Sequence, residues 1–147
     1  MREILFRGKA INRDKGFHRT SYKNGEWVYG IISRLYDERF KNLPAEMTNT
    51  NGVGGIEVDY KTISQYTGLT DKNGTKIFEG DIIKHFNHHD EPDKYAVYQV
   101  EFDERTCKFV GRLHKSWSAQ LCKDLENHYE VIGNIHDNPE LLKAGDD

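Results

Sequence analysis

The chain has little of several things that usually announce a function. Among its 147 residues there are only two cysteines, Cys107 and Cys122. They form no CxxC pair and are too few for a disulfide framework or a structural zinc site. Both read as free thiols of a reducing compartment, small and apolar in character. No stretch free of charge is long enough to span a bilayer. Met1-Arg2-Glu3-Ile4 opens a strand-like segment instead of the apolar core of a leader. The expectation is a cytoplasmic protein that does not enter a membrane. There is also no excess of one charge: 21 Lys and Arg face 24 Asp and Glu, a net −3. The whole molecule therefore exerts no pull toward a phosphate backbone or an anionic lipid surface, although a local basic face stays open. Gly68, Gly74 and Gly80 precede strand-like residues, whereas a phosphate-cradling loop needs a helix N-terminus after its glycines. Nucleotide cofactors of those kinds are not expected, nor is any other cofactor.

What is present points to a folded, polar, β-rich chain. Hydrophobic residues make up 36% and charged residues 31%, a thin supply for a core. Aromatics at 12% are nevertheless too many for a disordered chain, which lacks bulky groups to offset its entropy. One domain or two small ones fit this length.

Strand signals recur along the chain. Ile4-Leu5-Phe6 form a short apolar run that ends at Gly8, and Trp27 to Ile32 are β-branched or aromatic almost throughout after the turn Lys23-Asn24-Gly25. Together they predict an early hairpin. Residues 37–55 are polar, carry Pro44 and hold Gly52, Gly54 and Gly55, which predicts a long mobile loop. Ile56 to Tyr60 alternate apolar with acidic residues as a half-exposed strand does, and Lys61 to Tyr66 suit a turn or a single helical turn. Further on, NHHDEPDK at 87–94 is a polar loop, and Tyr98, Val100 and Phe102 lead through Asp103–Thr106 into Lys108–Leu113 as a hairpin. Residues 116–127 allow a short helix capped by Ser118, with Leu121 and Leu125 four apart, or a strand plus turn. The segment from Tyr129 to Ile135 reads as a strand, and Asn138-Pro139 as the start of a short terminal helix.

The most distinctive segment is QYTGLTDKNGTKIFEGDIIK, Gln65 to Lys84. Asp71-Lys72-Asn73-Gly74 is a strong turn, Lys76 to Phe78 a strand, Glu79-Gly80-Asp81 a break, and Ile82 to Phe86 a resumed strand. A glycine interrupting a strand pattern marks a bulge or corner, as in small barrels. KNGEWVYGII at 23–32 echoes KNGTKIFEGDII at 72–83, the second copy two residues longer. Chance similarity between two hairpins explains the echo more simply than duplication does.

In the segment QYTGLTDKNGTKIFEGDII, and in the opening ILFRGKA, the KNGEWVYG hairpin and the closing EVIGNIHDNPELL, matched in order and spacing, the chain resembles the YopX family of bacteriophage and prophage proteins. The blocks lie at both ends and in the middle, with 37–55 and 85–128 weakly covered. The resemblance implies a phage or prophage origin, hence a bacterial host cell, and a mainly β protein containing an SH3-like small barrel. It carries no catalytic residues over to this chain. The expected architecture is mainly β, with hairpins and few short helices: an N-terminal β region over 1–66 and an SH3-like barrel over 67–147.

Candidate sites are weighed on their chemistry. His85, Asn87, His88, His89, Asp90 and Glu91 are the densest set of metal-ligand types, but their spacing matches no established site. A solvated polar loop explains them better. Cys122 with His128 or His114 is a formal nucleophile pair without any local group to activate the thiol. Asp71, Glu79 and Asp81 are a formal acid-base or metal-binding set, yet each has a structural task available in a turn or on a sheet surface. Tyr66, Phe78, Tyr98 and Trp117 provide aromatic faces, and Lys72, Lys76, Lys84, Lys94, Lys108, Arg112, Lys115 and Lys123 scatter positive charge diluted by acids. The first expectation is a non-enzymatic binding or adaptor module engaging a host or phage protein, with Tyr66, Asp71, Lys72, Asn73, Glu79 and Asp81 as candidate binding residues. The alternatives are a nucleic-acid-binding small barrel and a metal-dependent hydrolase. Exposed hairpin edges also invite self-pairing into a homo-oligomer.

Overall fold

A computed structural model describes residues 2–12, 22–36, 39, 43–88, 90–114 and 117–143. The chain separates into two compact units, Met1–Gln65 and Tyr66–Asp147. Both are antiparallel β structures.

In the first unit, β1 (Phe6–Lys9), β2 (Trp27–Arg34), β3 (Ala45–Asn49) and β4 (Ile56–Val58) lie in the order β4-β3-β2-β1. The first residues of β5 (Ser64–Thr70) add to β1, with Phe6 opposite Gln65 and Arg7 opposite Ser64. Alternation decides which face is buried. Val28, Met47, Ile56 and Val58 pack with Ala10 and Ala45 into one core, while Tyr29 and Ile31 stay exposed. The early hairpin forms, with Lys9 opposite Trp27 and Phe6 opposite Gly30. Its strand β1 does not stop at Gly8 as expected but runs through it. Val58 and Met47 lie so close that a Cβ at Gly8 would stand 3.1 and 3.2 Å from them, so the glycine serves packing instead of a turn.

The expectation of a loop over 37–55 is corrected by β3, which sits inside it. Ala45 and Met47 are buried on the core face while Glu46 and Thr48 are half-exposed, a strand period too short to stand out. Pairing on both sides, to β2 and β4, makes the strand. Residues 37, 38 and 40–42 of that expected loop lie outside the described residues. The helical turn expected after Tyr60 is a single 3-10 turn, Tyr60–Thr62, capped by the Asp59 carboxylate accepting from the Lys61 amide at 3.0 Å.

In the second unit, β5 continues as a hairpin with β6 (Lys76–Phe78), Tyr66 facing Phe78 and Thr70 facing Lys76. A five-stranded sheet follows in the order β10-β9-β8-β7-β11. Its members are β7 (Asp81–Phe86), β8 (Tyr95–Asp103), β9 (Lys108–His114), β10 (Trp117–Gln120) and β11 (Tyr129–Asn134). Its core gathers Ile77, Ile83, Tyr98, Val100, Leu121 and Tyr129. Among the described residues no pairing joins β10 to β11, so the strand ladder itself is open. Of the two readings open for 116–127, a short helix or a strand plus turn, the second forms, as β10 and a 3-10 turn, Lys123–His128. Ser118 lies in the strand opposite Arg112 instead of capping a helix, because pairing with β9 satisfies its backbone. The terminal helix α1 (Glu140–Lys143) begins directly after Asn138-Pro139. No helix of the described residues is long and apolar enough to cross a membrane.

Candidate binding cleft and strand edge

The turn at Asp71 is built around one carboxylate. Asp71 is 5% exposed, and its Oδ1 accepts the amides of Asn73 and Thr75, both at 2.9 Å. Oδ2 accepts the Val131 amide of β11 at 2.9 Å, and the Lys72 amide donates to the Tyr129 carbonyl at 2.9 Å. The carboxylate thus stands in for a strand carbonyl, and the turn supplies the two hydrogen bonds that a neighbouring strand would give the outer side of β11. Lys72 then reaches Glu130 at 3.2 Å and lies 4.7 Å over the Phe86 ring, while Asn73 is exposed.

At the other end of the β5–β6 hairpin lies a second knot. Asp81, 2% exposed, accepts the Phe78 amide through Oδ2 at 2.7 Å. Gly80 between them has φ 86°, donates its amide to the Val100 carbonyl at 2.8 Å and accepts the Ile135 amide at 2.9 Å. Only glycine adopts that backbone without strain. Tyr66 packs its ring 5.6 Å from Phe78, with the Lys76 ammonium 5.0 Å over it, and Glu79 is half-buried beside the corner. The six residues singled out from the sequence therefore form two groups: Asp71, Lys72 and Asn73 at the hairpin turn, and Tyr66, Glu79 and Asp81 at its base. Both oxygens of Asp71 and the Oδ2 of Asp81 are engaged by backbone amides. A third knot follows β11, where the Asn134 side chain accepts the amides of His136 and Asp137 at 3.0 and 2.9 Å.

Among the described residues the histidines do not gather as a metal site. His85 packs between Tyr98 and Tyr129, with ring centroids 5.5 and 5.3 Å away, and 6.3 Å from His128. Burial first, then the neighbouring His128, hold its pKa below the ordinary histidine value. Burial likewise raises Tyr98 and Tyr129. His128 Nδ1 lies 3.0 Å from the Phe86 carbonyl. The Cys122 amide donates to the Tyr129 hydroxyl at 3.2 Å, and Cys107 is exposed. His89 lies outside the described residues, among which no three His, Cys, Asp or Glu side chains are arranged to hold a metal ion.

Sequence reading missed a cleft of about 280 Å³ in this unit. Leu69 of β5, Phe109 of β9 and Leu121 after β10 give it apolar walls, and Thr67, Gln120, Cys122, Lys108 and Lys123 complete it. The Thr67 hydroxyl already donates to the Ile77 carbonyl at 2.8 Å and accepts the Leu69 amide at 3.1 Å. Beside the cleft runs β10, whose outer side has no strand partner among the described residues and whose Trp117 is 45% exposed. Strands β9 and β10 meet by pairing, and Leu69 of β5, which pairs with neither, closes the cleft against them, so no local motif announces it. The basic residues also divide. Lys72, Lys94 and Arg112 pair with Glu130, Glu91 and Glu101 at 3.2, 3.2 and 2.8 Å. Lys84 lies 4.4 Å over the Tyr95 ring, and Lys115 falls outside the described residues.

The family model of the YopX protein matches residues 10–143. The chain belongs to the YopX family. For this YopX chain the match takes in the KNGEWVYG hairpin, both knots of the Gln65–Lys84 segment and the EVIGNIHDNPELL block, and of ILFRGKA it reaches only Ala10. It also spans the weakly patterned 85–128. No curated protein matches significantly. Among solved structures, the crystal structure of protein EF1440 from Enterococcus faecalis is similar with a TM-score of 0.55 and 23% identity, covering 95% of this chain and 98% of that one. At that identity the likeness shows a shared fold. In this chain two of the matched blocks, Gln65–Lys84 and EVIGNIHDNPELL, hold side chains that tie backbone segments together.

Proposed function

We propose that this YopX chain is a non-enzymatic binding module that takes an extended segment of a partner protein along the outer side of β10. One contrast carries the reading. The outer side of β11 is covered by the Asp71 turn, whereas β10 has no strand on its outer side among the described residues. Proteins cover, twist or charge their sheet edges because an uncovered ladder pairs with other chains. An edge left available beside an apolar cleft suits strand addition, in which main-chain hydrogen bonds supply affinity and side-chain pockets supply selectivity.

The finer architecture belongs to the same proposal. A four-strand meander, a 3-10 turn and a fifth strand returning to pair with β7 support an SH3-like small barrel in residues 67–147. The Cys122 amide bound to the Tyr129 hydroxyl supports it further, since it ties the segment after β10 to β11. The partner would be a host or phage protein in the cytoplasm of a bacterial cell, on the strength of the phage and prophage family that the motifs resemble. A second copy adding through β10 is the homo-oligomeric version of the same contact.

The test is to select displayed random peptides on the intact protein and to map the amide shifts of a selected peptide by NMR. Shifts concentrated on residues 117–120, and lost when the peptide backbone is N-methylated on alternate residues, are the expected result. Equal binding of the N-methylated peptide would sink strand addition. Concentration-dependent growth in mass with the same shifts would assign the edge to a second copy, and with it a self-partner.

A further inference from the structure

The cleft beside β10 has a chemistry of its own, and the inference drawn from it rests on the strand-addition reading. We infer that the cleft selects an apolar side chain of the added segment, and that Lys108 and Lys123 select acidic residues beside that anchor. At about 280 Å³ the space lies at the small end of ligand cavities. It suits one large side chain better than a cofactor.

The lining favours an apolar occupant. Leu69 and Phe109 are half-buried and Leu121 is 8% exposed, so their facing surfaces remain for a ligand to cover. Two of the polar groups among them are engaged elsewhere: the Thr67 hydroxyl is bound to Ile77 and Leu69, and the Cys122 amide to Tyr129. A polar side chain entering here would lose water and gain few directed partners, which is costly. An apolar one gains about 25 cal/mol for each Å² it buries.

Charge complementarity supplies the flanks. Lys108 and Lys123 line the same cleft and make no ion pair with any described residue, in contrast to Lys72, Lys94 and Arg112 of this unit. Asp103 faces Lys108 in the β8–β9 register, but its carboxylate accepts the Arg105 amide at 3.0 Å within its own turn. Asp124 follows Lys123 on the exposed 3-10 turn. The two ammonium groups are therefore the cations a bound acidic segment would meet, and such contacts contribute more to partner choice than to raw affinity.

The experiment extends the peptide selection. Peptides recovered on the native protein should share an aromatic or large aliphatic residue flanked by Asp or Glu. The double variant Lys108→Glu, Lys123→Glu should bind the best of them about tenfold more weakly, a total of ~1.4 kcal/mol over the two reversed contacts. The same selection on that variant should return Lys- or Arg-flanked anchors. Leu69→Trp, which fills the cleft, should abolish preference for the anchor. Peptides that shift residues 117–120 yet show no acidic preference, or that bind the double variant unchanged, would overturn this inference while leaving strand addition intact. A selection that enriches nothing on the native protein would overturn both.

Discussion

Two stretches of this chain read almost alike and fold differently. KNGEWVYGII in the first unit forms a turn and one uninterrupted strand, β2, whereas KNGTKIFEGDII in the second forms a turn, the short strand β6, a corner and the start of β7. Their glycines show why. Gly30 has no left-handed backbone; it is glycine because a Cβ there would overlap the carbonyl of Thr48 in β3. Gly80 is the reverse, with φ 86° and open room, since the nearest atoms to a Cβ belong to Ile135 at 3.6 and 3.7 Å. The second copy also carries Asp81, whose carboxylate holds the Phe78 amide and closes the corner. One glycine admits a neighbouring strand and the other bends its own.

The comparison can be broken by substitution. The largest effect is expected from Gly30→Ala, which must push β2 from β3 and should cost about 3 kcal/mol by the scale of overpacking, read in a denaturant melt. Asp81→Ala, which leaves the Phe78 amide without its acceptor, should cost about 2 kcal/mol. Gly80→Ala should cost only about 1 kcal/mol, the penalty of a left-handed backbone. Asn, which tolerates that conformation, should be accepted better at 80 than at 30. A Gly30→Ala variant as stable as the native protein would end the distinction between the two glycines.

The smallest effect concerns pH and separates the second unit from the first. His85 has its folded pKa held below the unfolded value of about 6.5. Between those two values the unfolded chain binds more protons, so stability falls as pH drops below about 6.5 and is fully present above it. Replacing His85 by Phe should flatten that part of the stability-pH curve, measured by melts across the acid range. An unchanged slope would place the titration elsewhere.

Much of the strand framework is legible because its residues are β-branched or aromatic and alternate. The β8–β9 hairpin, with Tyr98 and Val100 inward, follows from its period, and β11 from the strand-forming Tyr129, Val131 and Ile132. Strand β3 does not, since Ala45, Glu46, Met47 and Asn49 have little intrinsic preference for a strand, and only pairing on both sides holds them there. For the candidate site the limit is sharper. Asp71 stands out as a turn former, but its bond to Val131 crosses sixty positions of chain. The cleft joins Leu69, Phe109 and Leu121, which carry no shared pattern.

The sequence by itself determined a β-rich chain, the positions of its tight turns, the family motifs and the glycine at each corner, because those depend on neighbours a few residues apart. Tertiary structure alone decided that, among the described residues, the Asp71 turn bonds to the outer side of β11 while β10 has no strand on its outer side, and that lysines without an ion pair to any described residue border an apolar cleft. Those features arise from strand order and register, which bring distant residues together and which no local preference encodes.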